Sequence, residues 1–357
     1  MKAIPDKTYK AAIIGCGRVA WLLDKDPLIP NKPCTHAGAY KEVDNTKIIA
    51  AADIRADRIH DFSEEYKIDN VYLDYPEMLE KESPDIVSIC AYAPQRFNMV
   101  TDAIFAGVKG IWCEKAFATS LFEAYEMVRL CEERGVSLIV SHMRRWSSDY
   151  VLAKKLISDG VIGEPVSVVC HFSGSMIHTG THAFDVLRFL FGDASWVQGS
   201  LEDFGLVFHL AAFKSTKNLI SQDTGGYALI YFKNGVYATV HADSKGYFIF
   251  EFDIMGTEGR IRIGNWLFEL YRAEESRTES GLIELYRKEV QLGENNWWIE
   301  AVNHLIDCME GKAKNISGPR EGMAALEMAL AIHESHNMEG VRVDLPLENR
   351  TLRVLSR

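Results

Sequence analysis

No long hydrophobic run occurs anywhere in the 357 residues. A transmembrane helix needs about 20 consecutive apolar residues, and no apolar segment approaches that length. The first ten residues are polar, and the apolar run at 11–14 is too short for the core of a signal peptide. These absences predict a cytoplasmic protein that has no membrane partner.

A surplus of positive charge is also missing, because 50 acidic residues outnumber 39 basic ones and give a formal net charge of -11. Nucleic acids and anionic membranes are bound by basic surfaces, so we predict neither as a partner. The C-x-x-C motif is absent, and the seven scattered cysteines are an odd number. This pattern is typical of buried, reduced thiols in a reducing compartment.

The first half of the chain alternates short apolar runs with amphipathic segments. Continuous apolar runs between helices indicate βαβ units and a buried parallel sheet. We therefore predict an N-terminal α/β domain over residues 1–141. Its predicted strands are 9–14, 47–52, 71–73, 85–91, 110–113 and 137–140, and its predicted helices are 55–66, 75–81, 96–106 and 120–134.

The pattern changes after residue 141. Predicted strands now follow one another with short turns, and Lys233-Asn234-Gly235 is a typical hairpin signal. Consecutive strands joined in this way indicate an antiparallel sheet. We predict a C-terminal α+β domain over residues 142–357 with an open, mostly antiparallel sheet. The predicted strands are 165–172, 227–232, 236–241, 248–255, 260–263, 267–271 and 282–290, and the helices are 148–158, 181–191, 297–309 and 322–337.

A glycine-rich segment follows the first predicted strand and fits the pattern G-x-G-x-x-G/A. In this pattern the first glycine makes a tight turn, the second lets the backbone approach a pyrophosphate, and the third residue must be small for close packing. The segment should open a helix whose first N–H groups face the phosphates. We predict a Rossmann domain that binds a dinucleotide through Gly15, Cys16, Gly17, Arg18 and Val19, before the small residue Ala20.

Asp53 ends the second predicted strand. A carboxylate there accepts hydrogen bonds from the adenosine ribose hydroxyls and favours NAD. We assign Asp53, Ile54 and Arg58 to the cofactor site. Asp53 is alternatively the N-cap of the following helix, and Arg55 and Arg58 would favour the 2′-phosphate of NADP, so NADP stays open.

A proline-rich segment, residues 24–36, interrupts the region where the first helix of the domain is expected. Ala20 and Asp53 are 33 positions apart, against about 20 in the usual fingerprint. Proline cannot occupy the interior of a helix without breaking it. We interpret the segment as a surface loop near the cofactor that accounts for the excess length.

The chain contains three motifs: the glycine-rich segment, Cys113-Glu114-Lys115, and Gly-Thr-His-Ala-Phe-Asp at 180–185. Together they resemble one enzyme family, the glucose–fructose oxidoreductase and inositol dehydrogenase (Gfo/Idh/MocA) family. The resemblance covers nearly the whole chain. It implies a Rossmann domain followed by an open antiparallel sheet domain, and a catalytic lysine in an E-K-P motif, which Lys115 matches. The chain departs from the family at Ala116, where proline is usual.

The position of Lys115 supports the same role independently of the resemblance. Lys115 follows the predicted strand at 110–113, so it lies at the carboxyl end of a parallel strand, where open α/β sheets bind ligands. It is therefore a candidate for catalysis, for substrate binding and for contact with the cofactor. The resemblance places further cofactor contacts beside it, at Ala91, Tyr92, Pro94, Asn98 and Glu114.

The resemblance also implies a D-x-x-x-H pair in the second domain. His182 and Asp185 match its end, and His178 stands where the first carboxylate is expected. We predict that His182 is the general acid/base, since the ordinary histidine pKa of about 6.5 suits proton transfer near neutrality. We predict that His178 takes part in catalysis and contacts the substrate. Asp185 orients His182 or, alternatively, has a structural role as a cap or pairing partner. A zinc site at these three residues is the alternative, but the glutamate of H-E-x-x-H is missing, so we predict no metal.

Arg145 and Trp146 follow the sixth predicted strand and are weaker candidates for substrate binding. Their alternative role is structural, as an ion pair between domains or as packing.

Together these features predict an NAD-dependent oxidoreductase that transfers a hydride between nicotinamide and a carbon of a sugar, polyol or sugar derivative. Lys115 and His182 handle the hydroxyl proton in this interpretation. Two alternatives stay open: a lyase, epimerase or glycosidase that uses tightly bound NAD transiently, and a non-catalytic NAD-binding regulator. We also predict a homodimer or homotetramer, because strands of the second sheet carry apolar residues on both faces.

Overall fold

The computed structural model describes residues 7–202, 220–242 and 246–356. The chain forms two compact units, each made from two separate stretches of sequence. The first unit contains Met1–Trp146 and Asn295–Met323, and the second contains Ser147–Glu294 and Ala324–Arg357.

The first unit is built on a six-stranded parallel sheet in the order β3-β2-β1-β4-β5-β6, which is the order of a doubly wound dinucleotide-binding fold. Strands β4 and β5 are buried along their whole length, as expected for a sheet covered on both faces. The α/β prediction for this half is confirmed. The strands are Tyr9–Ile14 (β1), Thr46–Ala52 (β2), Val71–Tyr72 (β3), Ile86–Ile89 (β4), Gly110–Cys113 (β5) and Ser137–Val140 (β6), and the helices are His36–Glu42 (α1), Ala56–Tyr66 (α2), Tyr75–Glu82 (α3), Ala93–Phe105 (α4) and Leu121–Arg134 (α5).

The second unit contains a nine-stranded sheet in the order β15-β14-β13-β12-β7-β11-β10-β8-β16. All neighbouring strands are antiparallel except β7 and β11, so the predicted, mostly antiparallel sheet is confirmed. Short strands β9 and β17 pair in parallel beside it. The strands are Pro165–Phe172 (β7), Ala194–Leu201 (β8), Ile220–Gln222 (β9), Gly226–Phe232 (β10), Tyr237–Ala242 (β11), Phe250–Gly256 (β12), Gly259–Gly264 (β13), Leu267–Glu275 (β14), Ile283–Lys288 (β15), Val343–Asp344 (β16) and Arg353–Leu355 (β17), and helices Ser148–Ser158 (α6) and Gly180–Phe191 (α7) belong to the same unit.

The two compact units divide the chain differently from the predicted domains 1–141 and 142–357, and that division stays a prediction. Helix Trp297–Met309 (α8) packs against β5, β6 and α1, so residues 295–323 return to the first unit. Residues 142–146 also belong to the first unit. The chain passes from the first unit to the second again after Met323, inside helix Pro319–Asn337 (α9). The sequence shows an amphipathic helix at α8, but its periodicity does not show which sheet the apolar side covers.

The glycine-rich segment does not open a continuous helix, contrary to the prediction. A turn follows it, closed by the Trp21 N–H donating to the Gly17 carbonyl at 3.3 Å, and a short 3-10 helix covers Leu22–Lys25. Helix α1 begins only at His36. The indole Nε1 of Trp21 donates to the Cys16 carbonyl at 3.1 Å, so the intervening segment starts against the glycine-rich turn.

The two ends of this segment belong to one interrupted helix. The N–H groups of His36 and Ala37 donate to the carbonyls of Val19 and Ala20 at 3.2 and 2.9 Å. Helix α1 thus continues the hydrogen bonding of the first turn, and residues 21–35 are an insertion into it. Without the insertion, the interval to the second strand would be close to the about 20 residues of the usual fingerprint.

The carboxylate of Asp24 joins the two ends of the insertion. Its Oδ1 accepts from the Cys34 N–H at 2.7 Å, and its Oδ2 accepts from the hydroxyl of Thr35. Thr35 in turn caps α1, because its Oγ1 accepts from the Gly38 N–H at 3.0 Å. The carboxylate therefore stabilises both the end of the insertion and the start of the helix.

We expect Asp24→Ala to lower the free energy of unfolding of the first unit by roughly 1–3 kcal/mol, because buried polar groups lose a charged acceptor. Calorimetry on the cofactor-free protein measures the change. Asp26→Ala is the matched control, since Asp26 lies in the same segment and accepts one exposed bond, from the Leu28 N–H at 3.0 Å. Equal losses in both variants would contradict the role of Asp24.

Five of the seven cysteines are buried. Burial raises the pKa of the Cys16 and Cys113 thiols, so both are held as thiols and not as thiolates. In the described part of the chain, no helix has the length and apolar content that crossing a membrane requires.

Candidate functional site

The candidate site in the first unit lies at the edge of the sheet where β1, β4 and β5 end together. Ile14 is paired with Ile89, and Ile89 with Cys113, so the three strands end at the same level. β1 and β4 are adjacent in the sheet but not in sequence, so this is the point where the strand order reverses. Ligands of open α/β sheets bind in the crevice at such a point.

The two glycines of the turn have different roles. Gly15 has φ +91°, and a Cβ there would lie 3.1 Å from the backbone carbon of Cys90. Gly15 therefore allows the turn itself to form. At Gly17 a Cβ would meet only the Arg58 guanidinium within 4 Å, at 3.8 Å. Gly17 thus leaves open space above the backbone, as a bound pyrophosphate requires.

Asp53 fixes the glycine-rich turn through a hydrogen bond to its backbone. Its Oδ2 accepts from the Cys16 N–H at 2.7 Å, and its Oδ1 accepts from the Arg55 N–H at 2.9 Å. The carboxylate is buried at the end of β2. It lies where a carboxylate that binds the adenosine ribose is expected. The alternative that Asp53 caps α2 is met only in part, because the N-cap residue of α2 is Arg55.

The other residues predicted to contact the cofactor near Asp53 differ in exposure and contacts. Ile54 is 90% exposed, although it is a large apolar residue beside a predicted adenosine site. Arg58 lies over the glycine-rich turn. Burial raises the pKa of Cys16, and the Arg58 guanidinium opposes this with a smaller lowering effect. Arg55 instead forms an exposed ion pair with Asp57. Arg18 is exposed on the turn itself and Val19 is half-buried.

The residues after β4 lie at the same edge. Tyr92 is the N-cap of α4 and is 65% exposed, and Pro94 occupies the first turn of that helix. Ala91 is half-buried beside Cys90, whose N–H bonds the Ile14 carbonyl at 2.8 Å. Asn98 lies one turn further along α4 and is exposed. The structure thus groups Ala91, Tyr92 and Pro94 near the glycine-rich turn.

Lys115 follows β5, as predicted, and the backbone on its C-terminal side is held by Arg96. The Lys115–Ala116 peptide bond is cis. The buried guanidinium of Arg96 donates through Nη1 to the Ala116 carbonyl and through Nε to the Ala91 carbonyl, the second at 2.9 Å. One arginine therefore ties the end of β4 to the lysine that follows β5.

Glu114 is held on the N-terminal side of Lys115. Its Oε1 lies 3.1 Å from Nε2 of the fully buried His36, and its Oε2 accepts from the Lys115 N–H at 3.3 Å. Burial alone would raise the pKa of Glu114, but the hydrogen bond donated by His36 and the charges of Arg96 and Lys115 outweigh it and lower the pKa to about 2. Glu114 is therefore a carboxylate at neutral pH.

The second unit presents its own group of polar residues at the start of α7. His178 is exposed on the turn before the helix, His182 is half-buried in its first turn, and Asp185 is fully buried one turn later. His178 is thus outside the helix, although the carbonyl of its neighbour Ile177 accepts from the Thr181 N–H at 3.3 Å in helical fashion.

Asp223 organises the turn that carries His178. It accepts from the N–H groups of Ile177 and His178, both at 2.9 Å, and from the hydroxyl of Ser175 at 2.5 Å. Burial would raise the pKa of Asp223, but these bonds and the nearby His333 lower it. A buried carboxylate therefore shapes the backbone before α7.

Arg145 and Trp146 lie in the first unit and are only 8% and 6% exposed. Arg145 Nη1 donates to the Ile316 carbonyl at 2.7 Å, and the Trp146 ring packs against His304. These contacts favour the structural alternative for both residues, and direct substrate binding by them stays a prediction. Within the described ranges, no group of three or more His, Cys, Asp and Glu side chains could hold a metal ion.

Two family profiles match the chain over most of its length. Residues 9–142 match the profile described as "Oxidoreductase family, NAD-binding Rossmann fold". Residues 154–345 match the profile described as "Oxidoreductase family, C-terminal alpha/beta domain". The chain belongs to the Gfo/Idh/MocA oxidoreductase family. The predicted resemblance is thereby confirmed.

Curated members of the Gfo/Idh/MocA family that are similar to this chain include sugar dehydrogenases. A D-apiose dehydrogenase from Paraburkholderia graminis is 29% identical over 297 residues, which cover 76% of this chain and 72% of that protein. A D-glucoside 3-dehydrogenase from Escherichia coli is 22% identical over 374 residues and covers 96% and 99% of the two chains.

A solved structure of the WlbA dehydrogenase from Bordetella pertussis, in complex with NADH and UDP-GlcNAcA, matches with a TM-score of 0.75. It is 19% identical and covers 97% of this chain and 100% of that chain. A likeness at this identity shows the fold.

The first unit of this Gfo/Idh/MocA protein is an NAD-binding Rossmann domain, and its residues fit the cofactor. The space above Gly17 admits the pyrophosphate, and Asp53 lies at the carboxyl end of β2, where a ribose is held. The exposed side chain of Ile54 offers an apolar surface to an adenine ring.

Several residues that shape the site escaped the sequence analysis: Asp24, His36, Ser88, Arg96 and Asp223. Ser88 carried a usable signal, because a hydroxyl inside the buried strand Ile-Val-Ser-Ile must find a hydrogen-bond partner. The other four had no local signal, since each has a partner at least ten positions away in sequence.

Proposed function

We propose that this protein is an NAD-dependent dehydrogenase that acts on a CH–OH group of a sugar, polyol or sugar derivative. One observation carries the proposal: Lys115 lies at the carboxyl edge of the sheet beside the glycine-rich turn, with its backbone held on both sides by Glu114 and Arg96. A lysine held in this way beside a dinucleotide site is suited to bind a substrate oxygen.

The chain's residues manage binding and the proton. The dinucleotide would be held by the glycine-rich turn, Asp53 and the residues at the end of β4, and when bound it supplies the hydride chemistry. Lys115 donates a hydrogen bond to the substrate hydroxyl oxygen, and His182 takes the hydroxyl proton as general base. In the reverse direction His182 returns the proton to a carbonyl oxygen. His178 contacts the substrate, and Asp185 orients His182.

A substrate panel tests the proposal. Purified protein is incubated with NAD and a range of polyols, aldoses and sugar derivatives, and nicotinamide absorbance is followed. We expect net reduction of NAD with at least one compound and none with Lys115→Ala. Copurification of NAD without net turnover would instead support a lyase, epimerase or glycosidase with transient oxidation. A protein that binds NAD but acts on nothing would support a regulator.

We expect NAD(H) to bind more tightly than NADP(H). The 2′-phosphate of NADP would meet the buried Asp53 carboxylate, and two negative charges at close range repel each other. Titration calorimetry with both cofactors measures the preference. Asp53→Ser should narrow the preference for NAD(H), while Asp61→Ser, which changes an exposed carboxylate on α2, should leave it unchanged. Tighter binding of NADP(H) by the unmodified protein would contradict the prediction.

We propose that the open face of the nine-stranded sheet forms a subunit interface. Burial alternates along β10 and β12, so one face is covered and the other carries exposed side chains such as Tyr227, Tyr237 and Met255. The open face is less uniformly apolar than predicted, because Arg262 pairs with Glu269 there at 3.0 Å. Aromatic residues and methionine are enriched at the centre of association surfaces, and polar residues lie at their rim.

Light scattering at micromolar concentration tests the interface, and we expect a dimer or tetramer. Tyr237→Glu should shift the protein toward the monomer, because it places a charge among the aromatic rings of Trp196 and Tyr231. Val151→Glu, at an exposed position of α6, is the control. A monomeric unmodified protein would refute the proposal.

A further inference from the structure

A chain of buried polar groups connects the interrupted first helix to Lys115. The imidazole of His36 uses both ring nitrogens: Nδ1 lies 2.9 Å from Ser88 Oγ, and Nε2 lies 3.1 Å from Glu114 Oε1. Ser88 Oγ is also 2.9 Å from the hydroxyl of Tyr40. Glu114 then accepts from the N–H of Lys115 at 3.3 Å. Ser88, His36 and Glu114 each have a defined partner on either side.

The direction of these hydrogen bonds follows from Glu114. A carboxylate only accepts, so His36 Nε2 must carry a hydrogen and donate it. In the neutral ring Nδ1 is then an acceptor, Ser88 donates to it, and Tyr40 donates to Ser88. One tautomer of His36 therefore satisfies every member of the chain.

The ring of His36 is also fixed by aromatic neighbours. Trp112 lies with its ring centroid 3.9 Å from that of His36, and Trp298 contacts the ring edge-on at 5.5 Å. Trp112 is fully buried in β5, two residues before Glu114. Packing and hydrogen bonds together leave the imidazole a single orientation.

A proton relay does not explain this arrangement. Ser88, His36 and Tyr40 are all buried, with at most 1% of each exposed, so the chain ends in the interior and not in water. A relay must exchange protons with solvent or substrate at both ends. The chain instead holds the Glu114 carboxylate, and through it the backbone of Lys115.

We propose that His36 is a positioning residue for Lys115. The first residue of α1 is attached by its N–H to Val19 in the cofactor turn and by its side chain to the carboxylate that holds the lysine. His36 thereby sets the place of the lysine relative to the dinucleotide turn. The expected effect on kcat/KM rests on the proposed function, whereas the effect of His36 on the position of Lys115 does not.

The test compares two variants of similar size. His36→Met keeps apolar volume and loses the donor to Glu114, whereas His36→Gln retains an N–H near the position of Nε2. We expect His36→Met to lose about 10–100-fold in kcat/KM, mainly in kcat, because small displacements of a catalytic group are costly. NAD(H) affinity should stay nearly unchanged, and His36→Gln should recover much of the loss. Equal losses in both variants, in proportion to lost thermal stability, would overturn the proposal.

A second readout needs no substrate. An amine-reactive acylating reagent is applied to the cofactor-free protein, and peptide mass spectrometry follows the labelling of Lys115. We expect Lys115 to be labelled several-fold faster in His36→Met than in the unmodified protein or in His36→Gln. Lys109, at the opposite end of β5 and exposed, is the internal standard. Unchanged labelling of Lys115 would overturn the positioning role even if a sugar substrate is found.

The two readouts separate the two proposals. If the unmodified protein oxidises no sugar or polyol, the proposed function fails and the labelling still decides the role of His36. If His36→Met does not fold, Ser88→Ala is measured in the same way, because it removes the hydroxyl that bonds both His36 Nδ1 and the Tyr40 hydroxyl and leaves His36 itself unchanged. Faster labelling of Lys115 in Ser88→Ala supports the proposal, and unchanged labelling overturns it.

Discussion

Replacing Lys115 by alanine should lower kcat/KM for the true substrate by about 10²–10⁴-fold, the usual contribution of a group that assists proton transfer. Affinity for NAD(H) should change little, because Asp53 holds the glycine-rich turn and is left intact. Steady-state kinetics and calorimetry on the same preparation measure both quantities. Lys109→Ala is the control, since Lys109 precedes the same strand at the other edge of the sheet and pairs with Asp85 at 3.5 Å.

His182→Ala should cause a loss of similar size, about 10²–10⁴-fold. If Lys115 and His182 act on one proton, the double variant should lose less than the product of the single losses. His60→Ala, on the exposed side of α2, serves as the control. Losses that multiply fully would show that the two residues act on separate steps. A loss of less than tenfold in either single variant would remove that residue from the catalytic role.

Gly17→Val should abolish most dinucleotide binding without unfolding the protein. Apart from its chain neighbours, the described residue within 4 Å of a Cβ at this position is Arg58, whose flexible guanidinium can move away. The valine would instead fill the space that a pyrophosphate needs. We expect NAD(H) to bind about 100-fold more weakly, equivalent to roughly 2.7 kcal/mol, with an unchanged melting temperature. Titration calorimetry and thermal melts measure the two effects.

Gly15→Val is the matched comparison and, unlike Gly17→Val, should lower the stability of the protein itself. A side chain there must adopt φ +91° and meet the Cys90 backbone at 3.1 Å. We expect a loss of stability of about 1–3 kcal/mol even in the absence of cofactor. If Gly17→Val also destabilised the cofactor-free protein, or if it bound NAD(H) normally, the assignment of its open space to the dinucleotide would be wrong.

The strands of the first sheet were predictable because each is marked by a run of apolar residues within the strand itself. β1, β5 and β6 have the predicted limits, since each is a short and largely buried apolar run. The position of Lys115 followed directly, because a residue just after a parallel strand must lie at the carboxyl edge of the sheet. The edge strand β16 was missed, since its two residues are too few to show a period.

The sequence alone determined the family, the dinucleotide turn and the edge of the sheet at which Lys115 lies, because each depends on residue types within a few positions of one another. Only the tertiary structure decided how the lysine is held. His36 and Glu114, Arg96 and Ala116, and Asp53 and Cys16 are pairs whose members are far apart in sequence. Side-chain hydrogen bonds of this kind leave no periodicity, because the partner is chosen by the packing of strands and helices and not by spacing along the chain.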